Sequence, residues 1–74
     1  MLVYIVFDNE DLDICQVYDS EAKAISYIET AMTTDGTRIE LDVAEKEVLG
    51  GGQFTQQYLR GTDPAYMIYC YKVS

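Results

Sequence analysis

The stretch LVYIVFDNEDLDICQVY, residues 2–18, decides the fold of this chain. It begins with LVYIVF, a continuous run of β-branched, aromatic and aliphatic side chains that is typical of a strand buried in its sheet. Residues 12–18, LDICQVY, predict a second short strand. Between the two runs, residues 8–11 read DNED and are rich in turn-forming residues. The stretch therefore predicts a β-hairpin with a four-residue loop.

An amphipathic helix is predicted after the hairpin. Ser20 is suited to be its N-cap, and Glu21 lies in the first turn, where the helix dipole favours an anion. Residues 21–32, EAKAISYIETAM, place apolar side chains at a period of 3.6 residues. These apolar side chains are Ala24, Ile25, Ile28, Ala31 and Met32. Gly36 is suited to the left-handed backbone with which a helix commonly ends.

The segment after the helix predicts a half-buried strand. Residues 38–43, RIELDV, alternate between charged and apolar side chains. The apolar set, which is expected to face inward, is Ile39, Leu41 and Val43. Residues 44–49 are compatible with a strand continued through a bulge or with a short helix, and the strand is favoured.

The last third of the chain predicts a less regular arrangement. Three glycines at 50–52 predict a flexible break. Residues 65–73, AYMIYCYKV, predict the last strand, which begins after Asp63 and Pro64 return the backbone to an extended form. Residues 54–61, FTQQYLRG, are interpreted as a helical turn whose inward side chains are Phe54, Tyr58 and Leu59.

These elements predict an α+β fold in the order β-β-α-β-(short α or loop)-β, with residues 1–74 as a single domain. A small, mostly antiparallel sheet with one main helix packed on one face accommodates every apolar stripe. One helix cannot cover both faces of a four-stranded sheet. Either Tyr66, or Tyr69 together with Tyr71, is therefore expected to be partly exposed or to be buried in a homodimer.

The charge of the chain is strongly negative and unevenly distributed. Thirteen Asp and Glu stand against five Lys and Arg, for a net charge of −8. Twelve of the thirteen acids lie in residues 1–47. Direct binding to nucleic acid is disfavoured, because phosphates are met by Lys and Arg. A basic protein partner is favoured by the same electrostatics.

Several functional classes are disfavoured by residue types. The chain has no histidine, which removes the commonest general base, so we expect no enzyme and no cofactor. An EF-hand loop beginning at Asp8 fails at three of five pattern positions, where Leu12 and Asp19 replace ligands and Asp13 replaces the glycine of the turn, so no metal site is predicted. Cys15 and Cys70 are expected to be reduced, buried and small hydrophobes.

The sequence predicts a cytoplasmic protein with no membrane contact. No apolar run approaches the roughly 18 residues that a membrane span requires. The opening residues 1–7, MLVYIVF, lack the basic region of a secretory signal peptide.

The spacing of the carboxylates suggests a use for them. Side chains at positions i and i+2 of a strand lie about 6.7 Å apart on one face. Glu40 and Asp42 are predicted to have this spacing, which is roughly that of successive phosphates along a nucleic-acid strand. Clustered carboxylates repel one another and lower the folding stability. A small chain that keeps them at this cost is expected to use the negative electrostatic field that they produce. An acidic face that serves only solubility is the alternative.

The chain resembles small acidic bacteriophage proteins in its hairpin followed by a capped helix, LVYIVFDNEDLDICQVYDSEAKAISYIE. Among these proteins it is similar to the DNA-mimic inhibitors of the host nucleoid protein HU. The resemblance covers residues 2–32, overall size and charge. It implies a non-enzymatic inhibitor that occupies the DNA-binding site of a basic, HU-like host protein. The implied contact residues are Asp8, Glu10, Asp11, Asp13, Glu40 and Asp42, flanked by Asp19, Glu21, Glu45 and Glu47.

Two other functions stay open on the sequence. One is an adaptor that binds a different partner through the tyrosine-bearing last strand, residues 65–73. The other is a small protein that binds cations through its carboxylates.

Overall fold

The structure is a computed structural model that describes residues 1–33, 36 and 41–73. In this part of the chain, six strands form one antiparallel sheet in the order β2-β1-β6-β5-β3, with β4 also paired to β5. The predicted α+β class, a mostly antiparallel sheet with one helix packed against it, is confirmed. The elements are β1 (Leu2–Asp8), β2 (Asp13–Tyr18), α1 (Glu21–Met32), β3 (Asp42–Val43), β4 (Glu47–Gly50), β5 (Gln53–Arg60) and β6 (Asp63–Lys72).

The predicted first hairpin is confirmed, with its four-residue loop displaced by one residue. Asp8 and Asp13 are the last paired residues, so the loop is 9–12. One carboxylate oxygen of Asp8 accepts hydrogen bonds from the backbone N–H groups of Glu10 and Asp11, at 2.9 and 3.2 Å. This local turn explains why aspartate stands at position 8, because a short acceptor side chain satisfies two backbone donors there.

Leu12 closes this loop in a strained backbone conformation. Its φ is +54°, and its side chain is 87% exposed. A side chain with a Cβ in the left-handed region costs about 1–2 kcal/mol, and glycine avoids this cost. We expect Leu12→Gly to stabilise the fold by about 1 kcal/mol and to raise Tm by about 4–8 °C. Thermal unfolding followed by circular dichroism measures the shift. Asp11→Gly, at the preceding exposed position, is the matched control and is expected to give no increase.

Helix α1 forms as predicted and packs over one side of the sheet. The hydroxyl of Ser20 accepts a hydrogen bond from the N–H of Lys23, as an N-cap side chain does. The helix contacts β1 and β2. Of the predicted stripe, Ala31 is exposed and Ile25 is partly buried. The buried core is Val6, Ala24, Ile28, Met32, Phe54, Tyr58, Ala65, Ile68 and Cys70.

The predicted helical turn over residues 54–61 is wrong, because these residues belong to strand β5. Phe54, Gln56 and Tyr58 are buried at alternate positions, as a strand requires. The polar Gln56 interrupts the apolar alternation, and its amide donates to the backbone carbonyl of Ala44. Leu59 was expected to face inward with Tyr58, but as its strand neighbour it points to the opposite face.

The predicted flexible break at residues 50–52 is also wrong, because the glycines form a tight hairpin turn. Gly50 pairs with Gln53, which leaves Gly51 and Gly52 as a two-residue loop. Their φ values are +63° and +84°, both in the region that a type I′ turn requires. The favoured strand over residues 44–49 is confirmed in part by β4, which resumes pairing with β5 after β3 ends.

The strand predicted over residues 38–43 is described only at its end. Residues 38–40 lie outside the described residues, and Asp42 and Val43 form β3. Val43 faces the core side of the sheet beside Tyr58, as expected, but it is not buried, because 52% of its surface is exposed. Strand β3 lies at the edge of the sheet opposite β2, and α1 packs over β1 and β2. Val43 therefore points to the α1 face with its partner Tyr58, but the helix packs over β1 and β2 and leaves this edge uncovered.

One face of the sheet stays apolar and uncovered within the described residues. Alternate residues of β1, β2 and β6 point away from α1 and are absent from the core. Tyr71 is 46% exposed, and its ring lies 5.9 Å from that of Tyr69, whereas Tyr66 packs against the core. The open face, as this surface is called below, consists of Met1, Val3, Ile5, Phe7, Ile14, Val17, Met67, Tyr69, Tyr71 and Val73.

Candidate functional site: carboxylates at one end of the sheet

Two hairpin turns meet at one end of the sheet. The β1–β2 loop lies beside the start of β6, because Asp8 pairs with Tyr66 and the N–H of Asn9 donates to the carbonyl of Ala65 at 3.0 Å. The Asn9 side-chain amide also donates to the Gln57 side chain of β5 at 2.9 Å. These contacts connect the first hairpin with the β5–β6 hairpin, where Asp63 pairs with Arg60.

This arrangement brings five carboxylates and one cation to the same end of the sheet. The Arg60 guanidinium lies 3.2 Å from a Glu10 carboxylate oxygen, and both side chains are more than half exposed. Arg60 is the one cationic side chain that the described part of the chain places at this end. The surface is therefore strongly negative. The turn cluster, as it is called below, consists of Asp8, Glu10, Asp11, Asp13 and Asp63.

The turn cluster keeps like charges in direct opposition. Asp8 and Asp13 are cross-strand partners, an arrangement in which like charges destabilise a sheet. Both have local hydrogen bonds, since Asp8 accepts two N–H groups of its own loop and Asp13 accepts the N–H of Ile14 at 2.9 Å. The cluster also affects Tyr66, whose pKa is raised by burial and further by the charge of Asp8.

The helix-start pair, Asp19 and Glu21, lies at the other end of β2. Six residues of strand separate it from the turn cluster, about 20 Å. Lys23 lies 2.9 Å from Asp19, and this hydrogen bond lowers the pKa of the Asp19 carboxyl. Lys46 lies 4.0 Å from Glu21 and also stacks 4.0 Å from the Phe54 ring centroid. The pair is therefore largely neutralised by its own lysines.

The third group follows the outer edge of β5. Asp42 pairs with Leu59 and Glu47 pairs with Thr55, while Glu45 lies in the segment that links β3 to β4. All three carboxylates are exposed. Three strand spacings separate this edge from β1, about 14 Å. Asp42 lies nearest the turn cluster, and Glu40, its predicted partner, lies outside the described residues.

The predicted site residues thus divide into three groups instead of forming one surface. The first four, Asp8, Glu10, Asp11 and Asp13, are brought together as expected of one loop and its flanks. Asp63 was not predicted, because it lies in the nearly neutral C-terminal segment. Its proximity follows from the β5–β6 hairpin, and residues 61–62, Gly-Thr, between two strands would have indicated that hairpin.

The described residues also bear on metal binding, thiol chemistry and membrane spanning. Among residues 1–33, 36 and 41–73, no group of three or more acidic or cysteine side chains is placed to hold a metal ion. Cys15 is half-buried and Cys70 is buried, and both are free thiols. No helix of the described residues is long and apolar enough to cross a membrane.

Comparisons with protein-family models, curated proteins and solved structures found no match.

Proposed function

We propose that this chain is a non-enzymatic, phage-type DNA mimic that inhibits a basic, HU-like DNA-binding protein in the cytoplasm of a bacterial host. The turn cluster occupies the surface of the target that otherwise binds phosphates. The observation that carries the proposal is the set of five carboxylates at one end of the sheet with one arginine among them. The resemblance of residues 2–32 to phage DNA-mimic inhibitors supports the same function.

The cost of this arrangement supports a use for it. Opposed Asp8 and Asp13 destabilise the hairpin that shapes the fold, and a chain of 74 residues has little stability to spare. Solubility alone does not require acids in direct opposition, because dispersed charges serve it as well. Concentrated charge produces a stronger local potential, which attracts a basic surface from a distance.

The dimensions of the acidic surface are compatible with mimicry of a duplex. Asp42 lies at the same end of the sheet as the turn cluster, about 14 Å from β1, and points to the opposite face from Asp8 and Asp13. This separation is comparable with the width of the DNA major groove, about 12 Å, whose borders are rows of phosphates. A basic protein that straddles a groove would therefore meet negative charge on both faces of this end of the sheet.

Charge-neutralising variants test the proposal by calorimetric titration into a purified HU-like nucleoid protein. Glu10→Gln with Asp11→Asn removes two charges from the turn cluster. We expect it to weaken binding about tenfold, which corresponds to about 1.4 kcal/mol. The unmodified chain is expected to lose affinity as salt rises from about 50 to about 300 mM, because screening shortens the range of the field.

The matched control is Asp19→Asn with Glu21→Gln, which changes the net charge equally at the helix-start pair. These two carboxylates already face lysines, so the control is expected to weaken binding less than about threefold. Equal losses in both double variants would show that total charge acts without a specific surface. The absence of any binding at low salt would contradict the proposal.

An adaptor function is the second candidate, and the open face favours it. Tyr69 and Tyr71 lie on that face, where a partner could contact them. In this case Tyr69→Ala with Tyr71→Ala abolishes binding to the partner, and the turn-cluster variant leaves it unchanged. The two sets of variants therefore assign binding to one surface or the other.

A further inference from the structure

We infer that the open face is covered by a second copy of this chain, which makes the protein a face-to-face homodimer. The inference does not depend on DNA mimicry. Four cross-strand apolar pairs run along the middle of this face, and three of them are Val3–Tyr71, Ile5–Tyr69 and Phe7–Met67. The fourth, Met1 beside Val73, continues the row where the N–H of Val73 donates to the Met1 carbonyl at 2.8 Å. Ile14 and Val17 of β2 widen the row.

Charge is segregated from the open face in the way that contact between identical acidic chains requires. Strand alternation points the acids of β1 and β2, Asp8 and Asp13, to the side of α1. Lys72 of β6, which pairs with Leu2, also points to that side. Two copies can therefore bring their open faces together without placing carboxylates opposite each other in the centre. The acids that share this face, Asp42 and Glu47, lie at its outer edge.

The size of the open face suits a small dimer interface. The three strands that carry it, about 14 Å across, and seven residues of strand length, about 24 Å, give about 340 Å² of flat area per copy. Two copies thus bring about 680 Å² of flat area together, and the relief of the projecting side chains enlarges the buried accessible surface toward the roughly 1,000 Å² that a specific interface requires. On a monomer, an apolar patch of this size falls in the range of about 300–600 Å² that the largest exposed patch of a soluble protein covers, and such patches are often functional.

The exposed face of an antiparallel sheet can also pack against a second copy of itself. Face-to-face sheets pack about 10 Å apart with interdigitating side chains, and a two-fold axis lets one surface serve both copies. The tilted Tyr69–Tyr71 pair lies near the middle of the row. Tyrosine is enriched at the centres of protein interfaces, because its ring is large and its hydroxyl tolerates water.

Salt distinguishes this association from binding to a basic partner. Each copy carries a net charge of −8, so two copies repel at long range. Raising salt to about 0.5 M shortens the Debye length to about 4 Å and leaves apolar contact intact. Homodimerisation is therefore expected to strengthen with salt, whereas binding to a basic protein weakens. If the chain does not dimerise, its binding to a basic protein can still be measured, and the reverse also holds.

Sedimentation equilibrium of the full chain at low and high salt tests the inference. We expect a monomer–dimer equilibrium that shifts toward dimer at high salt. Val17→Glu, at a 54% exposed position on the open face, is expected to weaken the dimer at least about tenfold. Tyr71→Gln is a second, uncharged variant on the same face and is also expected to weaken it.

Val48→Glu is the matched control, because Val48 is a 73% exposed strand valine that lies off the open face. It adds the same charge and is expected to leave the dimer constant within about twofold after allowance for net charge. A chain that is monomeric at every salt concentration would overturn the inference, even if its open face binds another protein. Equal weakening by Val17→Glu and Val48→Glu would overturn it as well.

Discussion

Replacing Ile28 by alanine is expected to lower the free energy of unfolding by about 3 kcal/mol, the largest effect of any single change considered for this fold. Ile28 is fully buried in the middle of α1. Its truncation removes apolar contacts and leaves a cavity between helix and sheet. The whole chain is expected to have about 4–11 kcal/mol of stability, so this loss is a large part of the total.

Chemical denaturation at low protein concentration measures this loss, and Tm is expected to fall by more than about 10 °C. Val48→Ala is the control, because it shortens an aliphatic side chain that is already 73% exposed, and it is expected to change stability by less than about 0.5 kcal/mol. If Ile28→Ala cost no more than the control, α1 would not pack on the sheet through this residue.

Alkaline pH is expected to destabilise the fold through Tyr58. Burial, and then the negative charge of Glu21, raises the pKa of Tyr58 to about 12. In the unfolded chain the pKa is about 10, so between these two pH values the unfolded state releases a proton that the folded state retains. The contribution of Tyr58 is therefore complete below pH 10 and is lost as pH rises toward 12. The loss reaches at most about 2–3 kcal/mol.

The pKa values of Tyr4, Tyr27 and Tyr66 are also raised, so these residues act in the same direction. Tyr58→Phe isolates the contribution of Tyr58 to the alkaline loss of stability, because phenylalanine fills nearly the same space without a titrating hydroxyl. Urea unfolding at a series of pH values is expected to show a shallower alkaline loss for this variant than for the unmodified chain. Parallel curves across that range would show that Tyr58 does not contribute.

The elements that could be predicted from sequence are those with local determinants. The first hairpin follows from an apolar run, a loop of turn formers and a second apolar run, and the Asp8 carboxylate satisfies that loop from within. Helix α1 likewise has its cap at Ser20 and its own apolar stripe. In both cases the decisive interactions lie within a few residues, where sequence patterns are informative.

Strand β5 could not be recognised because its pattern is ambiguous. Phe54 and Tyr58 are four residues apart, a spacing that suits one face of a helix and also alternate positions of a strand. The residue that would have decided between them, Gln56, is polar but buried, and its partner is the backbone of Ala44. That partner is known only once the strands are paired.

The candidate site could be predicted only for residues that are close together in the sequence. Four of its five carboxylates lie in one hairpin, whereas Asp63 joins them through pairing of β6 with β1 and β5. The same lack of long-range information made the acids of β3 and β4 look like part of one surface. Strand order places them about 14 Å from β1, on the far edge of the sheet.

Displacement of DNA tests the central claim, that the turn cluster substitutes for phosphates in the DNA site of a basic protein. A labelled duplex is bound to a purified HU-like protein at low salt, and its fluorescence polarisation is followed while this chain is added. We predict that polarisation falls to the value of free DNA, and that Glu10→Gln with Asp11→Asn requires about tenfold more protein to do so. Polarisation that stays high under excess chain, or that rises because the chain joins the complex, would contradict the claim.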